Sequence, residues 1–149
     1  LTATAPAALE GQTLTLAAAA TAQTVDPDTG NNQASAAVQV EDPLAGIPLL
    51  EDGLPVRDLA GAAGDALLYR IEVPPGARSL RVLSYGGSGD VTLSVAHERL
   101  PTAEDADGRS RRPGNNETVA IVNPAPGTWF VRIEGVRPFA RVSLRATID

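Results

Sequence analysis

Apolar and polar residues alternate in a series of short segments between position 67 and the end of the chain. In the first such segment Tyr69, Ile71 and Val73 share one face, while Arg70 lies on the other. The same period of two predicts strands at 67–73, 79–83, 90–96, 118–122, 128–134 and 140–148. Strands with one polar face are typical of antiparallel sheets. We therefore predict an all-β fold, an antiparallel β-sandwich or jelly roll, without helices.

A weaker alternation precedes this region. Segments 12–16 and 33–40 alternate, and the turn-forming residues of 26–32 lie between them. This pattern predicts an N-terminal β-hairpin. Because an isolated hairpin is only marginally stable, we expect it to dock on the following module, to pair with a second chain as a dimer, or to remain mobile.

The two regions are joined by a segment of linker composition. Residues 41–55 contain three prolines, two glycines and four acidic residues, although Ile47, Leu49 and Leu50 are expected to pack onto the next module. The predicted organisation is a partial repeat at 1–40, a linker at 41–55 and a β-sandwich at 56–149. Since the chain begins at Leu1 without a visible signal peptide, we interpret it as a piece of a longer processed protein.

Composition excludes several classes of function. The chain has no cysteine, which excludes disulfides, thiol catalysis and zinc–thiolate sites. A net charge of −6 argues against nucleic-acid binding, which needs a basic surface. No apolar run reaches the 18 residues that a membrane-spanning helix requires.

Residues that could carry catalysis are scarce. His97 is the only histidine, and it lies at a predicted strand end without an evident nucleophile beside it. We therefore predict that the chain is not an enzyme. Residues 26–32 resemble a calcium loop, but the twelfth position of that motif is Ala37 instead of glutamate, so a hairpin turn is favoured.

Four stretches in order carry a family resemblance. They are residues 53–64, 69–77, 86–93, and the pair 114–118 and 124–135, which includes the strings GNNET and NPAPGTWFVR. This region resembles the bacterial pre-peptidase C-terminal (PPC) domain, a β-sandwich appended to secreted peptidases and other exoproteins. Residues 1–40 resemble the closing part of immunoglobulin-like repeats of the DUF11/CARDB type. The resemblance implies a non-catalytic accessory domain of a secreted bacterial protein, located outside the cell or on its surface.

The chain departs from the PPC pattern at several positions. Many members carry a disulfide at the positions that are Gly108 and Val119 here. Because no disulfide can hold the loop 100–113 here, we expect it to be the most mobile part of the module. The family's second acid and following tyrosine are Thr92 and Ser94, which weakens the implied binding of calcium or protein substrates.

Two interpretations of the turn before residue 118 remain open. In the first, Asn116 and Glu117 satisfy the backbone of their own turn. In the second, they form an oxygen-rich cation site with Asp90 or Asp107, for which Ca²⁺ is the candidate ion. No other cofactor is expected.

The arginines suggest two further surfaces. Arg109, Arg111 and Arg112 form a basic tip that faces acids of the same loop, and it is either solvated or binds an anionic partner. Arginines and aromatic residues are common interface anchors. The candidate binding face consists of Arg70, Arg81, Phe130, Arg132, Arg141 and Arg145, with Tyr85 as a further member.

Two functions follow from these features. In one, the chain attaches its parent exoenzyme or surface protein to an insoluble protein or polysaccharide. In the other, it is a structural spacer or processed extension that aids secretion, folding or stability without a tight ligand. An exposed patch centred on Phe130 would favour the first function.

Overall fold

A computed structural model describes residues 13–19, 27, 33–39 and 46–149. The chain divides into two compact units, Leu1–Gly46 and Ile47–Asp149. In the first unit, β1 (Thr13–Ala19) pairs antiparallel with β2 (Gln33–Gln39). This pairing confirms the predicted hairpin. Its predicted turn at 26–32 lies outside the described residues except for Pro27.

The second unit contains seven strands. They are β3 (Val56–Gly61), β4 (Ala66–Val73), β5 (Ser79–Tyr85), β6 (Ser88–His97), β7 (Gly108–Ser110), β8 (Glu117–Val122) and β9 (Gly127–Ile148). All of their pairings are antiparallel, and the sheet order is β7-β6-β9-β5-β8, with β3 and β4 also paired to β9. The result is a nearly closed, barrel-like sheet, which confirms the all-β antiparallel prediction.

Strand β9 connects the two halves of this sheet. Its first half pairs with β4 and β6, and its second half pairs with β3 and β5. Gly135 lies where β9 passes from one half to the other. A Cβ at this position would lie 2.5 Å from the carbonyl oxygen of Ala62, so the close approach of the two backbones requires glycine. We call the β4–β9–β6–β7 half the first sheet and the β3–β9–β5–β8 half the second sheet.

The core lies between the two sheets and is built from the inward residues of each strand. The apolar residues with no measurable exposure are Leu80, Val82, Val91, Leu93, Val95, Ala96, Val131, Ile133, Val142, Leu144 and Ala146, and all of them except Ala96 point inward. With the exception of Ala96, they join one apolar cluster together with Trp129 and Phe139. Burial on this scale is the main favourable contribution to folding.

Part of the predicted linker lies against the second unit. Leu50 is buried in its core, and the amide of Leu50 donates to the carbonyl of Arg70 on β4. The amide of Arg70 in turn donates to the carbonyl of Pro48. These bonds cover the outer edge of β4 at that point, which would otherwise present unpaired backbone groups.

Two details of the strand prediction were wrong. The segments 128–134 and 140–148 belong to one continuous strand, because β9 bends at Gly135 and pairs through the Pro138 region with shifted register instead of ending there. The strands β3 and β7 were not among those predicted. The burial pattern of β3 does not alternate, and its pairing with β9 shifts register, while the three residues of β7 are too few to show a period of two.

Candidate binding face

The predicted binding residues do not form one surface. Arg70, Phe130 and Arg132 lie on the outer face of the first sheet. Arg81 and Arg145 lie on the outer face of the second sheet. The two groups therefore belong to two separate candidate faces.

The expectation that Phe130 is exposed was wrong. Its side chain is on the outer face, opposite the inward Trp129 and Val131, but it is only 2% exposed. Its register partners on the same face are Arg70 on β4 and Ala96 on β6. Ala96 is fully buried, and Arg70 has a buried Nε. Phe130 therefore stabilises the fold and cannot anchor a partner at the surface.

The remaining residues of the first face are also engaged within the protein. A guanidinium nitrogen of Arg132 donates to Glu134 two residues along the same strand. Arg109 donates to the hydroxyl of buried Ser94 and to the carbonyl of Thr102. Arg132 and Arg109 on the first face are thus held by partners within the protein. By contrast, Arg70 is half-buried beside Phe130 and, like Arg145, has a buried Nε without a hydrogen-bond partner among the described residues.

The second sheet presents a different face. Arg81 is exposed between the buried residues Leu80 and Val82, and Arg145 is half-buried between Leu144 and Ala146. In register, Arg81 lies opposite Thr147, and Leu83 lies opposite Arg145. The outward residues of β5, β8 and β9 are Ser79, Arg81, Leu83, Tyr85, Thr118, Ala120, Val122, Arg141, Ser143, Arg145 and Thr147. We call this surface the arginine face.

The arginine face carries three arginines, and an acid, Asp149, lies at the end of the face, where its carboxylate accepts from the Ser79 hydroxyl. None of its outward positions on β5, β8 and β9 is acidic. Within the part of the chain that the structure describes, Arg81, Arg141 and Arg145 form no ion pair. Nε of Arg145 is buried and lacks a hydrogen-bond partner. Tyr85 and Leu83 are half-buried on the same face, and Val122 is 76% exposed.

The four candidate cation ligands form separate interactions. Asp90 accepts from the amide of Gly114, and Asn116 accepts from the amide of Gly86. Asp107 accepts from Arg99 and from the amide of His97. Among residues 46–149 and the two described N-terminal strands, no group of three or more acidic, histidine or cysteine side chains is arranged to hold a metal.

Glu117 faces the interior instead of the solvent. It is 1% exposed, and the hydroxyl of buried Ser110 donates to its Oε2. This bond joins β7 to β8, the two strands at the ends of the sheet order. Glu117 thus contributes to closing the barrel through Oε2, while its Oε1 and Oδ1 of Asn115 are buried without a hydrogen-bond partner among the described residues, and both interpretations of this turn stay predictions.

His97 packs against an aromatic ring. Its imidazole lies 5.2 Å from the ring of Trp129, and Nε2 is 3.0 Å from the carbonyl oxygen of Pro126. Glu98 accepts from the amide of Thr128 nearby. These contacts hold the end of β6 against the start of β9.

The loop before β7 contains an arginine clamp that the residue pattern did not predict. The guanidinium group of Arg99 donates to both Asp105 and Asp107, with nitrogen–oxygen distances of 2.7–3.0 Å. Hydrogen bonds from Arg99 lower the pKa of both carboxyl groups, and they raise the pKa of Arg99. The mixed charges of this loop are evident in the sequence, but the acids pair with Arg99 and not with the arginines of the basic tip.

The clamp predicts an acid-sensitive loop. Because the folded pKa values of Asp105 and Asp107 are lowered, their stabilising effect is complete above the unfolded value of about 3.8 and is lost as pH falls below it. We expect amide hydrogen exchange in residues 99–107 to be slow at pH 7 and to rise relative to the core below about pH 4. Arg99→Gln should raise the exchange rate of these amides at pH 7, because it removes the cation that holds both acids. Unchanged exchange in both tests would contradict the clamp.

Gly108 and Val119 are neighbours across the gap between β7 and β8. A Cβ at position 108 would lie 2.5 Å from Cγ1 of Val119, 2.9 Å from Cδ1 of Ile121 and 3.1 Å from Cγ2 of Val95. The valine therefore fills space that a side chain at position 108 would need. Gly108 and Val119 are thus matched in size at the two positions where the family resemblance implies a disulfide in many members.

This proximity predicts that Gly108→Cys with Val119→Cys forms a disulfide. Bonded cysteines have Cβ atoms about 3.5–4.5 Å apart, and closing a loop of this length stabilises by about 2–3 kcal/mol. The oxidised variant should unfold at higher denaturant concentration than its reduced form. Gly108→Ala alone should destabilise by about 1–3 kcal/mol through overpacking. A disulfide that fails to form under oxidising conditions would contradict the placement of β7 beside β8.

The fold and the motifs agree with one protein family. Residues 65–135 match the sequence profile of the bacterial pre-peptidase C-terminal domain. The solution structure of vEP C-ter 100 is 33% identical to this chain with a TM-score of 0.55, covering 66% of this chain and 96% of its own. The chain belongs to the PPC domain family. A crystal structure of the PPC domain of a collagenase from Bacillus anthracis shares the fold, with a TM-score of 0.51, 15% identity and coverage of 68% and 94%.

The curated relatives of this PPC domain are extracellular proteases. Alkaline serine exoprotease A of Vibrio alginolyticus is 37% identical over 65% of this chain and 18% of its own length. The chain thus spans less than a fifth of that relative. The residues that the structure describes include no helix with the length and apolar character needed to cross a membrane.

Proposed function

We propose that this PPC domain is the accessory part of a secreted bacterial protease and attaches that enzyme to a substrate or surface through the arginine face. The observation that carries the proposal is the set of three arginines on one sheet face that form no ion pair with any residue the structure describes. PPC domains are non-catalytic accessory domains, and their parent proteins are proteases. Attachment is a role that needs only a surface, and this domain offers one.

The charge distribution supports this choice of face. The domain lies in a chain of net charge −6, so a basic surface is a local feature. Arginine in such a setting keeps its charge and can bind carboxylates through two parallel hydrogen bonds. Tyr85 adds an aromatic group with a polar tip, which suits an interface. The first face has no comparable set among the described residues.

A retention assay tests the proposal. The chain is incubated with collagen, elastin, keratin, chitin and cellulose, with calcium and with chelator, and the bound fraction is measured. We expect retention on at least one polymer, and we expect Arg81→Gln with Arg145→Gln to reduce it. Arg132→Gln is the matched control, because it removes an arginine from the other outer face. Equal retention of both variants would reject the arginine face.

A spacer function is favoured by one specific observation. Four of the five aromatic residues are buried, namely Tyr69, Trp129, Phe130 and Phe139. Strong binding surfaces usually contain aromatic anchors, and the arginine face contains only Tyr85. If the chain binds none of the polymers in either buffer, the spacer function is favoured over attachment.

The N-terminal unit completes the proposal. We interpret residues 1–40 as the closing part of an immunoglobulin-like repeat and residues 41–55 as the segment that joins it to the PPC domain at 56–149. A two-stranded sheet has two open edges and is marginal alone. We therefore propose that β1 and β2 pair with a further strand, either in the parent protein or in a second copy of the chain.

A further inference from the structure

We infer that the partner of the arginine face is an extended peptide with acidic residues at alternate positions. This inference rests on the proposed function, and it names the chemistry of the ligand. It depends on three features of the face: the spacing of two arginines, their lack of internal partners, and the apolar side chains beside them.

The spacing follows from the strand register. Arg81 lies opposite Thr147, and Arg145 lies opposite Leu83, so Arg81 and Arg145 are diagonal neighbours on adjacent strands. Diagonal neighbours on one sheet face are about 7–8 Å apart. In an extended peptide, alternate side chains point to the same side and are about 7 Å apart. Two acids separated by one residue can therefore reach Arg81 and Arg145 together.

The charges of the face are available for such a ligand. Arg81 is exposed, and Arg145 is half-buried with its Nε fully buried, so a ligand can reach only the other guanidinium nitrogens of Arg145. Asp58 is the acidic residue of the flanking strand β3, and within the described part of the chain it forms no ion pair with either arginine. Asp149 lies opposite Ser79 at the end of this face and accepts a hydrogen bond from the Ser79 hydroxyl. Among the described residues it forms no ion pair with Arg81 or Arg145, so an arriving carboxylate does not have to displace it from either guanidinium group.

Apolar groups beside the arginines favour a peptide over a sugar polymer. Ala120 lies opposite Arg81 on β8, and Val122 at 76% exposure lies opposite Ser79. Leu83 is half-buried next to Arg145. Apolar side chains of a bound peptide could cover these groups and remove them from water, whereas a sugar chain would present hydroxyl groups to them.

Labelled synthetic peptides test the inference. The first is an acetylated octapeptide of alternating Glu and Thr. The second has the same composition with all four Glu residues contiguous, and the third replaces Glu with Gln. Affinities are measured by fluorescence anisotropy for the full chain at low and high salt. We expect the alternating peptide to bind best, with binding roughly tenfold or more weaker for the Gln peptide and at high salt.

Variants locate the binding site. Arg81→Gln and the double variant Arg81→Gln with Arg145→Gln should weaken binding of the alternating peptide, the double variant by roughly tenfold or more. Arg132→Gln should leave it unchanged. Arg145 is half-buried, so its replacement could also disturb packing. The single Arg81 variant avoids this effect, and its thermal unfolding midpoint should equal that of the unsubstituted chain.

Three outcomes would overturn the inference. They are equal binding of the contiguous peptide, tighter binding of heparin or polygalacturonate than of the alternating peptide, and no effect of Arg81→Gln. The proposed function is tested separately by polymer retention. If retention depends on the arginine face but the peptide does not bind, the inference fails and the function stands. If retention is also absent, both fail.

Discussion

Phe130→Ala is expected to lower the free energy of unfolding by about 3–5 kcal/mol. Phe130 is 2% exposed on the outer face of the first sheet, and its neighbours there are fully buried Ala96 and half-buried Arg70. Removing its ring leaves a cavity that strands on both sides cannot fill, because β4 and β6 are each held to β9 by backbone pairing.

Urea denaturation at fixed pH measures this effect as a shift of the midpoint at constant slope. Leu54→Ala is the matched control, since Leu54 is an apolar residue at 57% exposure. We expect that control to change stability by less than about 0.5 kcal/mol. A loss of less than about 1 kcal/mol for Phe130→Ala would show that this side chain is not tightly packed. Any loss of binding by this variant should follow from unfolding.

Gly87→Ala is also expected to destabilise the fold strongly, by about 2–5 kcal/mol, as the sum of two effects. Gly87 has φ of +66°, a conformation in which a non-glycine residue costs about 1–2 kcal/mol. A Cβ there would also collide with the carbonyl oxygen of Ala140 and would lie 2.6 Å from the carbonyl carbon of Arg141. Both atoms belong to the backbone of β9, so relief requires strand movement, which costs about 1–3 kcal/mol more.

Gly86 provides an internal control for this prediction. It has φ of +73°, but a Cβ at this position would meet no atom within 4 Å. Gly86→Ala should therefore cost only the backbone contribution, about 1–2 kcal/mol. The difference between the two variants, measured by denaturation, isolates the contact with β9. Equal stability of the two would contradict the close approach of the 86–89 turn to β9.

The period of two predicted most strands because alternate residues of a strand face opposite sides of the sheet, and only one side is buried in the core. Strands β4, β5, β6 and β8 all lie where alternation placed them, within two residues at each end. The pattern also assigned Phe130 and Trp129 to opposite faces correctly. It could not show that Phe130 is covered, because the groups that flank it, such as Arg70 and Ala96, come from distant parts of the chain.

The same limit applies to the candidate site. Alternation identified Arg81, Arg132 and Arg145 as outward residues, and all three are. Which outer face each one occupies depends on strand order, and this order results from β9 serving two sheets. Whether an outward arginine is free depends on its local partners, as with Arg132 and Glu134. Neither property appears in the spacing of residues along one strand.

The most direct test of the attachment proposal is a binding isotherm on whichever insoluble polymer retains the chain. Three proteins are compared at equal salt: the unsubstituted chain, the double variant Arg81→Gln with Arg145→Gln, and the control variant Arg132→Gln. The proposal predicts that the affinity of the double variant is lower by roughly tenfold or more. Arg132→Gln should bind with the affinity of the unsubstituted chain. Identical isotherms for all three proteins would contradict attachment through the arginine face.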